Sequence, residues 1–209
     1  MTKRWFAGVW LIAWLAGGLA LAAQSPQELV KQTTDQMLSK LREERQVIDS
    51  HPERIYDLVN QIVLPHFDFA RMSQLVLGKY WRAASTDQRQ RFVEQFRNLL
   101  VRTYAKSLNS YTDNKINYLP YRGGPTSDDV TVRTEVEQPG GFPVPIDYSL
   151  YRDKSGEWKV YDVVVDGVSL VTNYRTTFAN QIRQESLDKL IASLATHNEQ
   201  GMPQQGTPR

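Results

Sequence analysis

The sequence predicts an α+β fold, in which helices pack on a curved antiparallel sheet of about four strands. Between residues 25 and 110, apolar side chains recur with the 3.6-residue period of helices. From about residue 115 the period changes to two, as in strands, and turn-forming residues separate the short segments. A run of helices followed by a run of strands is typical of an α+β protein.

The first 23 residues are expected to be a secretory signal peptide. Lys3 and Arg4 give a positive start, and residues 5–21 are apolar or Gly throughout. Ala20–Ala22 supplies the small residues that signal peptidase requires. An uncleaved membrane anchor is the alternative, since about 17 uncharged residues reach the lower limit for a span. The small residues and the polar Gln24–Pro26 that follow favour cleavage.

The charge and the cysteine content limit the classes of function. The 209-residue chain has 25 basic residues, 23 acidic residues and no Cys. Removing Lys3 and Arg4 with the signal peptide leaves 23 of each sign, so the charge gives no case for nucleic-acid binding. An exported protein without Cys cannot use disulfides, and its core alone must therefore stabilise the fold. The lack of Cys also excludes a lipid anchor on that residue.

Four segments are predicted ahead of the strands: three are helices, and the third in chain order is an apolar-rich segment. Ser25, followed by Pro26 and Glu28, provides a capping start for the first, and Ser85–Gln88 does so for the fourth. The chain breaks at His51-Pro52 and again at Pro65. The predicted bounds are residues 25–48, 52–64, 67–81 and 85–110.

The strands are predicted at residues 115–121, 129–138, 144–152 and 157–165. The last of them is apolar on both faces, which predicts a central position in the sheet, covered on two sides. A further helical region follows Asp166-Gly167 and extends to Leu194. The folded domain is expected to span residues 24–195, with a disordered polar tail at 196–209.

A concave sheet with a helix across its mouth forms an apolar pocket, although periodicity does not distinguish a filled core from a hollow one. Motifs for catalysis are missing: the chain has no G-x-S-x-G, no P-loop and no G-x-G-x-x-G. His51, His66 and His197 are scattered, so no metal site is expected. Asp162 lies in an otherwise apolar strand. It is either a buried titrating carboxylate or a structural acid.

Several separated motifs together resemble the MlaC family, also called the toluene-tolerance auxiliary family. The resemblance covers roughly residues 27–194. Its motifs are Phe67–Met72, Leu75–Arg82, Gln88–Val93, Phe96–Tyr104, Trp158–Val163 and Asp166–Arg175. Members of this family are the periplasmic phospholipid-binding components of the Mla transport system in Gram-negative bacteria.

The resemblance implies a fold akin to nuclear-transport-factor-2-like domains, with a deep apolar cavity for the acyl chains of a phospholipid. It implies a carrier that moves phospholipid between an outer-membrane lipoprotein–porin complex and an inner-membrane ABC transporter with its periplasmic lipid-binding subunit. Such transport maintains the lipid asymmetry of the outer membrane. We therefore expect a periplasmic, monomeric carrier that is not an enzyme, has no cofactor and does not bind nucleic acid.

Two alternatives remain open at this point: an enzyme that uses Asp162 in an apolar pocket, and an adaptor with a filled core. The residues expected to line the lipid cavity are Met72, Leu75, Phe92, Phe96, Leu99, Leu100, Tyr104, Val132, Ile146, Tyr148, Val163, Val165, Leu170, Val171 and Tyr174. Arg97, Arg102 and Arg175 either meet a phosphate or the acids of a partner, or lie on solvated helix faces.

Overall fold

The computed structural model describes residues 24–110, 112–120 and 127–200. The predicted signal peptide, the turn at Gly123–Pro125 and residues 201–209 of the predicted tail lie outside this part of the chain. The helices are α1 (Pro26–Glu43), α2 (Arg45–Ser50), α3 (Arg54–Leu58), α4 (Phe69–Leu77), α5 (Lys79–Ala83), α6 (Thr86–Ser110), α7 (Leu170–Gln184) and α8 (Leu187–Gln200). The strands are β1 (Ile116–Tyr118), β2 (Asp129–Val136), β3 (Val144–Arg152), β4 (Trp158–Val165) and β5 (Val168–Ser169).

The predicted α+β class and the antiparallel meander are confirmed. In the described residues the strands form one antiparallel sheet in the order β1-β2-β3-β4-β5. The two-residue β5 is the strand that the sequence pattern does not predict, because it is too short to show a period. On one face of the sheet, Val132 pairs with Tyr148, and Tyr148 pairs in turn with Val163.

Strand β4 is an inner strand, between β3 and β5, although β3 is the middle one. β5 and a parallel bridge between Phe67 and Val160 cover the outer edge of β4. The pairing with β3 shifts by one residue, so that Tyr161 is the extra residue of a bulge. Val160 and Val163 therefore share one face, whereas a regular strand would place them on opposite faces.

The predicted helix starts are confirmed. Ser25 Oγ accepts from the N–H of Glu28 at 3.1 Å. Ser85 and Gln88 form a reciprocal capping box, with distances of 3.1 Å from Gln88 N to Ser85 Oγ and 3.0 Å from Ser85 N to Gln88 Oε1. These local signals are reliable because each one satisfies backbone donors that the helix itself leaves free.

Two predicted helices and the predicted apolar-rich segment are interrupted in the structure. The first breaks at Glu44, which forms an ion pair with Arg54 at 2.6 Å. In the second, α3 continues as a π-helical turn (Val59–Val63) and a 3₁₀ turn (Leu64–His66). The third breaks at Gly78, whose φ of 53° lies in the left-handed region.

The end of the folded domain lies beyond the predicted boundary. Helix α8 continues to Gln200, so the predicted disorder of residues 196–200 is wrong. Asn198 is buried there and donates from Nδ2 to the backbone carbonyl of Gln95 at 3.0 Å. This contact with α6 stabilises a helical turn that polar composition alone does not predict. No helix in the described part of the chain has the length and apolar content to cross a membrane.

Three clusters of buried apolar residues support the fold. One joins α4, α6, α7 and α8, and includes Phe92, Phe96 and Phe178. The second joins α1, α2, α3 and the π-helical turn to the C-terminal half of α6. The third packs Leu29 and Val30 of α1 on the sheet. A cavity lies where the three clusters meet.

Candidate functional site

The cavity has a volume of about 440 Å³ and is bounded by helices on one side and by the sheet on the other. Its helical wall comes from α1, the π-helical turn, α4 and the second half of α6. Its sheet wall comes from β1, β2, β3 and β4. The alternative of a completely filled core is therefore wrong.

The alternation of side chains along the strands forms the sheet wall. Val144, Ile146 and Tyr148 point to the same face of β3 because side chains alternate with a period of two. On β4 the bulge at Tyr161 brings both Val160 and Val163 to that face. The irregularity thus adds an apolar side chain to the wall.

Side chains in the middle of the sheet that keep part of their surface accessible indicate the cavity. Ile146, Tyr148 and Val163 lie on a covered face, yet each keeps accessible surface, whereas Leu150 on the same face has none. Burial also raises the pKa of Tyr148 to about 12. Both observations follow if the accessible surface of Tyr148 faces the apolar cavity and not the bulk solvent.

Polar groups are few in the wall. The Thr134 hydroxyl donates to the Ile146 carbonyl at 2.8 Å and is therefore satisfied within the sheet. Burial, together with the nearby positive charge of Lys159, lowers the pKa of His66. Tyr104 is 36% exposed, and burial of the rest of its side chain raises its pKa to about 12. Among the described residues, no Asp, Glu, Lys or Arg lines the cavity.

The structure brings eight of the fifteen predicted residues to the cavity. These are Met72, Leu100, Tyr104, Ile146, Tyr148, Val163, Val165 and Leu170. The other seven do not line it and pack in the clusters around it. These are Leu75, Phe92, Phe96, Leu99, Val171 and Tyr174 in the helical cluster, and Val132 in the sheet cluster.

Sequence reasoning missed the wall that α1 and the turns after α3 provide. Leu29, Val30 and Met37 line the cavity from α1, and Val59 and Val63 line it from the π-helical turn. Their apolar spacing does show that they point inward. No signal in a single sequence indicates that this inward face borders a hollow.

The polar candidates lie outside the cavity. Asp162 is a structural acid: its carboxylate accepts from Ser169 Oγ at 2.6 Å and from the N–H of Val171 at 3.0 Å. It thereby caps the start of α7 and is not among the lining residues. Arg97 donates to Asn60 Oδ1 at 2.7 Å. The Arg175 guanidinium packs against Gly78.

Comparison with known proteins assigns this chain to a family. The family model described as MlaC protein matches residues 31–196. The chain belongs to the MlaC family. It is 28% identical, over 92% of each chain, to the intermembrane phospholipid transport system binding protein MlaC of Haemophilus influenzae. It is 32% identical to the toluene tolerance protein ttg2D of Pseudomonas putida, over 83% of this chain and 81% of that protein.

A solved structure agrees with this membership of the MlaC family. The phospholipid-binding protein from Ralstonia solanacearum, determined in complex with a phospholipid, superposes with a TM-score of 0.77 and 31% identity. The match covers 86% of this chain and 98% of that one. In the described part of this MlaC-family chain, no group of three or more His, Cys, Asp and Glu side chains is placed to hold a metal ion.

Proposed function

We propose that this protein is a phospholipid carrier whose cavity encloses acyl chains. The observation that carries the proposal is the cavity of about 440 Å³, whose described wall has no charged Asp, Glu, Lys or Arg side chain. Its volume falls within the range of roughly 300–1,000 Å³ that is typical of ligand sites. The phospholipid complex of the Ralstonia solanacearum relative supports the same cargo.

The energetics of lipid in water explain the need for such a cavity. Transfer of each CH₂ group out of water is favourable by about 0.8 kcal/mol. An acyl chain of about 16 carbons therefore costs on the order of 12 kcal/mol to expose. A protein that offers a comparable apolar surface removes most of this barrier, and a partner that changes its conformation can trigger release.

The proposed route runs across the periplasm. The protein would be exported by a cleaved signal peptide at residues 1–23, load at an outer-membrane lipoprotein–porin complex and unload at an inner-membrane ABC transporter, or the reverse. The name of the Haemophilus influenzae relative supports transport between membranes. The resulting transport would maintain the lipid asymmetry of the outer membrane.

The composition of the wall argues for a carrier and against catalysis. Aliphatic and aromatic groups hold acyl chains without hydrogen-bond specificity, so selection among head groups by the cavity should be weak. A reaction in the cavity would need a nucleophile together with an oriented acid or base, and the described wall offers His66 without any carboxylate to orient it. Asp162, the carboxylate that suggested an enzyme, accepts hydrogen bonds from Ser169 and Val171 at the start of α7 and does not face the cavity.

Native mass spectrometry of protein purified without detergent tests the proposal. We expect a mass increment that corresponds to bound phospholipid. Ile146→Trp and Val163→Trp should remove it, because each adds bulk to the cavity wall. Thr131→Trp is the matched control, since Thr131 lies exposed on the opposite face of the sheet. Consistently empty wild-type protein, or equal lipid retention in all three variants, would contradict the proposal.

A further inference from the structure

A second, polar pocket lies between α3, α6 and α8. It has a volume of about 350 Å³ and is lined by Tyr56, Arg102, Thr103, Lys106, His197 and Gln200. The residues of α6 that line it lie on the side of the helix opposite Leu100, Tyr104 and Leu108, which line the apolar cavity. The helix therefore separates the two pockets.

Among the residues that the structure describes, the positive charges of this pocket have no partner. In the part of the chain that the structure describes, neither Arg102 nor Lys106 makes an ion pair or a side-chain hydrogen bond. No carboxylate is among the residues that line the pocket. By contrast, Arg91 of the same helix binds both Asp87 and Asp188. The pocket thus offers unneutralised positive charge in a concave surface, which attracts anions.

The donors of the pocket suit an extended ligand better than a small ion. Arg102 and Tyr56 are half-buried, and the other lining residues are exposed. Small anions are usually held by buried donors or by the backbone N–H groups at a helix start. Here the donors are side chains spread over three helices, so a ligand with several acidic groups can engage more of them at once. The guanidinium of Arg102 can bind one carboxylate in a bidentate manner.

We propose that this pocket is a docking site for an acidic segment of a partner protein, whose carboxylates bind Arg102 and Lys106. The site is distinct from the lipid cavity. A carrier that must exchange cargo with other proteins can use it to hold a partner while the cavity stays accessible. Because the charges are near the surface, docking should weaken as ionic strength rises.

Binding of a fluorescently labelled hexaglutamate peptide to the protein as purified, followed by fluorescence anisotropy, tests the proposal. We expect the double variant Arg102→Glu/Lys106→Glu to lower the affinity at least about tenfold, because like charges then face the peptide. Lys154→Glu/Lys189→Glu is the matched control. It makes the same change in net charge at exposed residues outside the pocket, and it should bind like the wild type.

Three further results would overturn the proposal. The first is an affinity that both double variants lower equally, since this would indicate a non-specific effect of net charge. The second is displacement of the peptide by an equal concentration of inorganic phosphate, which would indicate a simple anion site. The third is a wild-type protein that does not bind the peptide but binds vesicles containing anionic lipid through Arg102 and Lys106. None of these measurements depends on bound lipid, so a failure here leaves the carrier function standing.

Discussion

Ile146 and Leu150 lie on the same face of β3, and substituting each of them tests whether the interior beside it is hollow or packed. Leu150 has no accessible surface, whereas Ile146 borders the cavity and keeps part of its surface accessible. Replacing a fully packed Leu with Ala lowers the free energy of unfolding by about 2–5 kcal/mol. For Ile146→Ala we expect roughly half of that in the lipid-free protein, because its contacts are missing on the side of the hollow.

Urea unfolding of delipidated protein, followed by far-UV circular dichroism, measures the decrease in the free energy of unfolding for Ile146→Ala and for Leu150→Ala. With phospholipid restored, Ile146→Ala should lower the free energy of unfolding by more than it does without lipid, since the side chain then contacts an acyl chain. The decrease for Leu150→Ala should stay unchanged. The two variants should have equal m-values, so that the comparison reports stability alone. If Ile146→Ala is as destabilising as Leu150→Ala without lipid, then Ile146 lies in a solid core and the reasoning about the cavity is refuted.

Three other outcomes are expected. Gly78→Ala should destabilise the protein by about 1–2 kcal/mol, because φ is 53° and the new Cβ would lie 3.3 Å from Arg175 Nη2. Gly140→Ala is its control, with a positive φ but no atom within 4 Å, and an equal loss would exclude a contribution from Arg175. Asp162→Asn should lower the melting temperature through the weakened start of α7 and leave the stoichiometry of bound lipid unchanged; loss of lipid without loss of stability would contradict this. Finally, burial raises the pKa of Tyr148 from 10.0 to about 12, so its stabilising contribution is complete below pH 10 and declines towards pH 12. The free energy of unfolding should fall across this range, and less steeply in Tyr148→Phe; identical pH profiles would show that Tyr148 does not titrate differently on unfolding.

The local features of the fold were predictable because short stretches of sequence determine them. The capping box of Ser85 and Gln88 and the bounds of β3 follow from neighbouring residues. The interruption at the π-helical turn and the bulge at Tyr161 were missed because packing against distant elements determines both. The two-residue β5 has no period to detect.

The cavity was only half predictable, and α6 shows why. Phe92 and Phe96, near its start, pack in a solid cluster with Phe178 of α7. One and two turns further on, Leu100 and Tyr104 continue the same apolar stripe but line the cavity. Periodicity identifies the face of a helix that points inward. It carries no information on whether that face meets another side chain or an empty space.

The opposed pockets on α6 have a consequence for genetics. Consecutive codons of this helix specify residues of different sites: Val101 lines the cavity, Arg102 the polar pocket, and Tyr104 the cavity again. A saturation scan of the helix should therefore separate into two interleaved classes of defect, one in cargo and one in partner exchange, each recurring with the turn of the helix. Mutations that suppress the cargo defects should then lie in genes that determine the available lipids. Mutations that suppress the exchange defects should lie in the gene for the acidic partner protein.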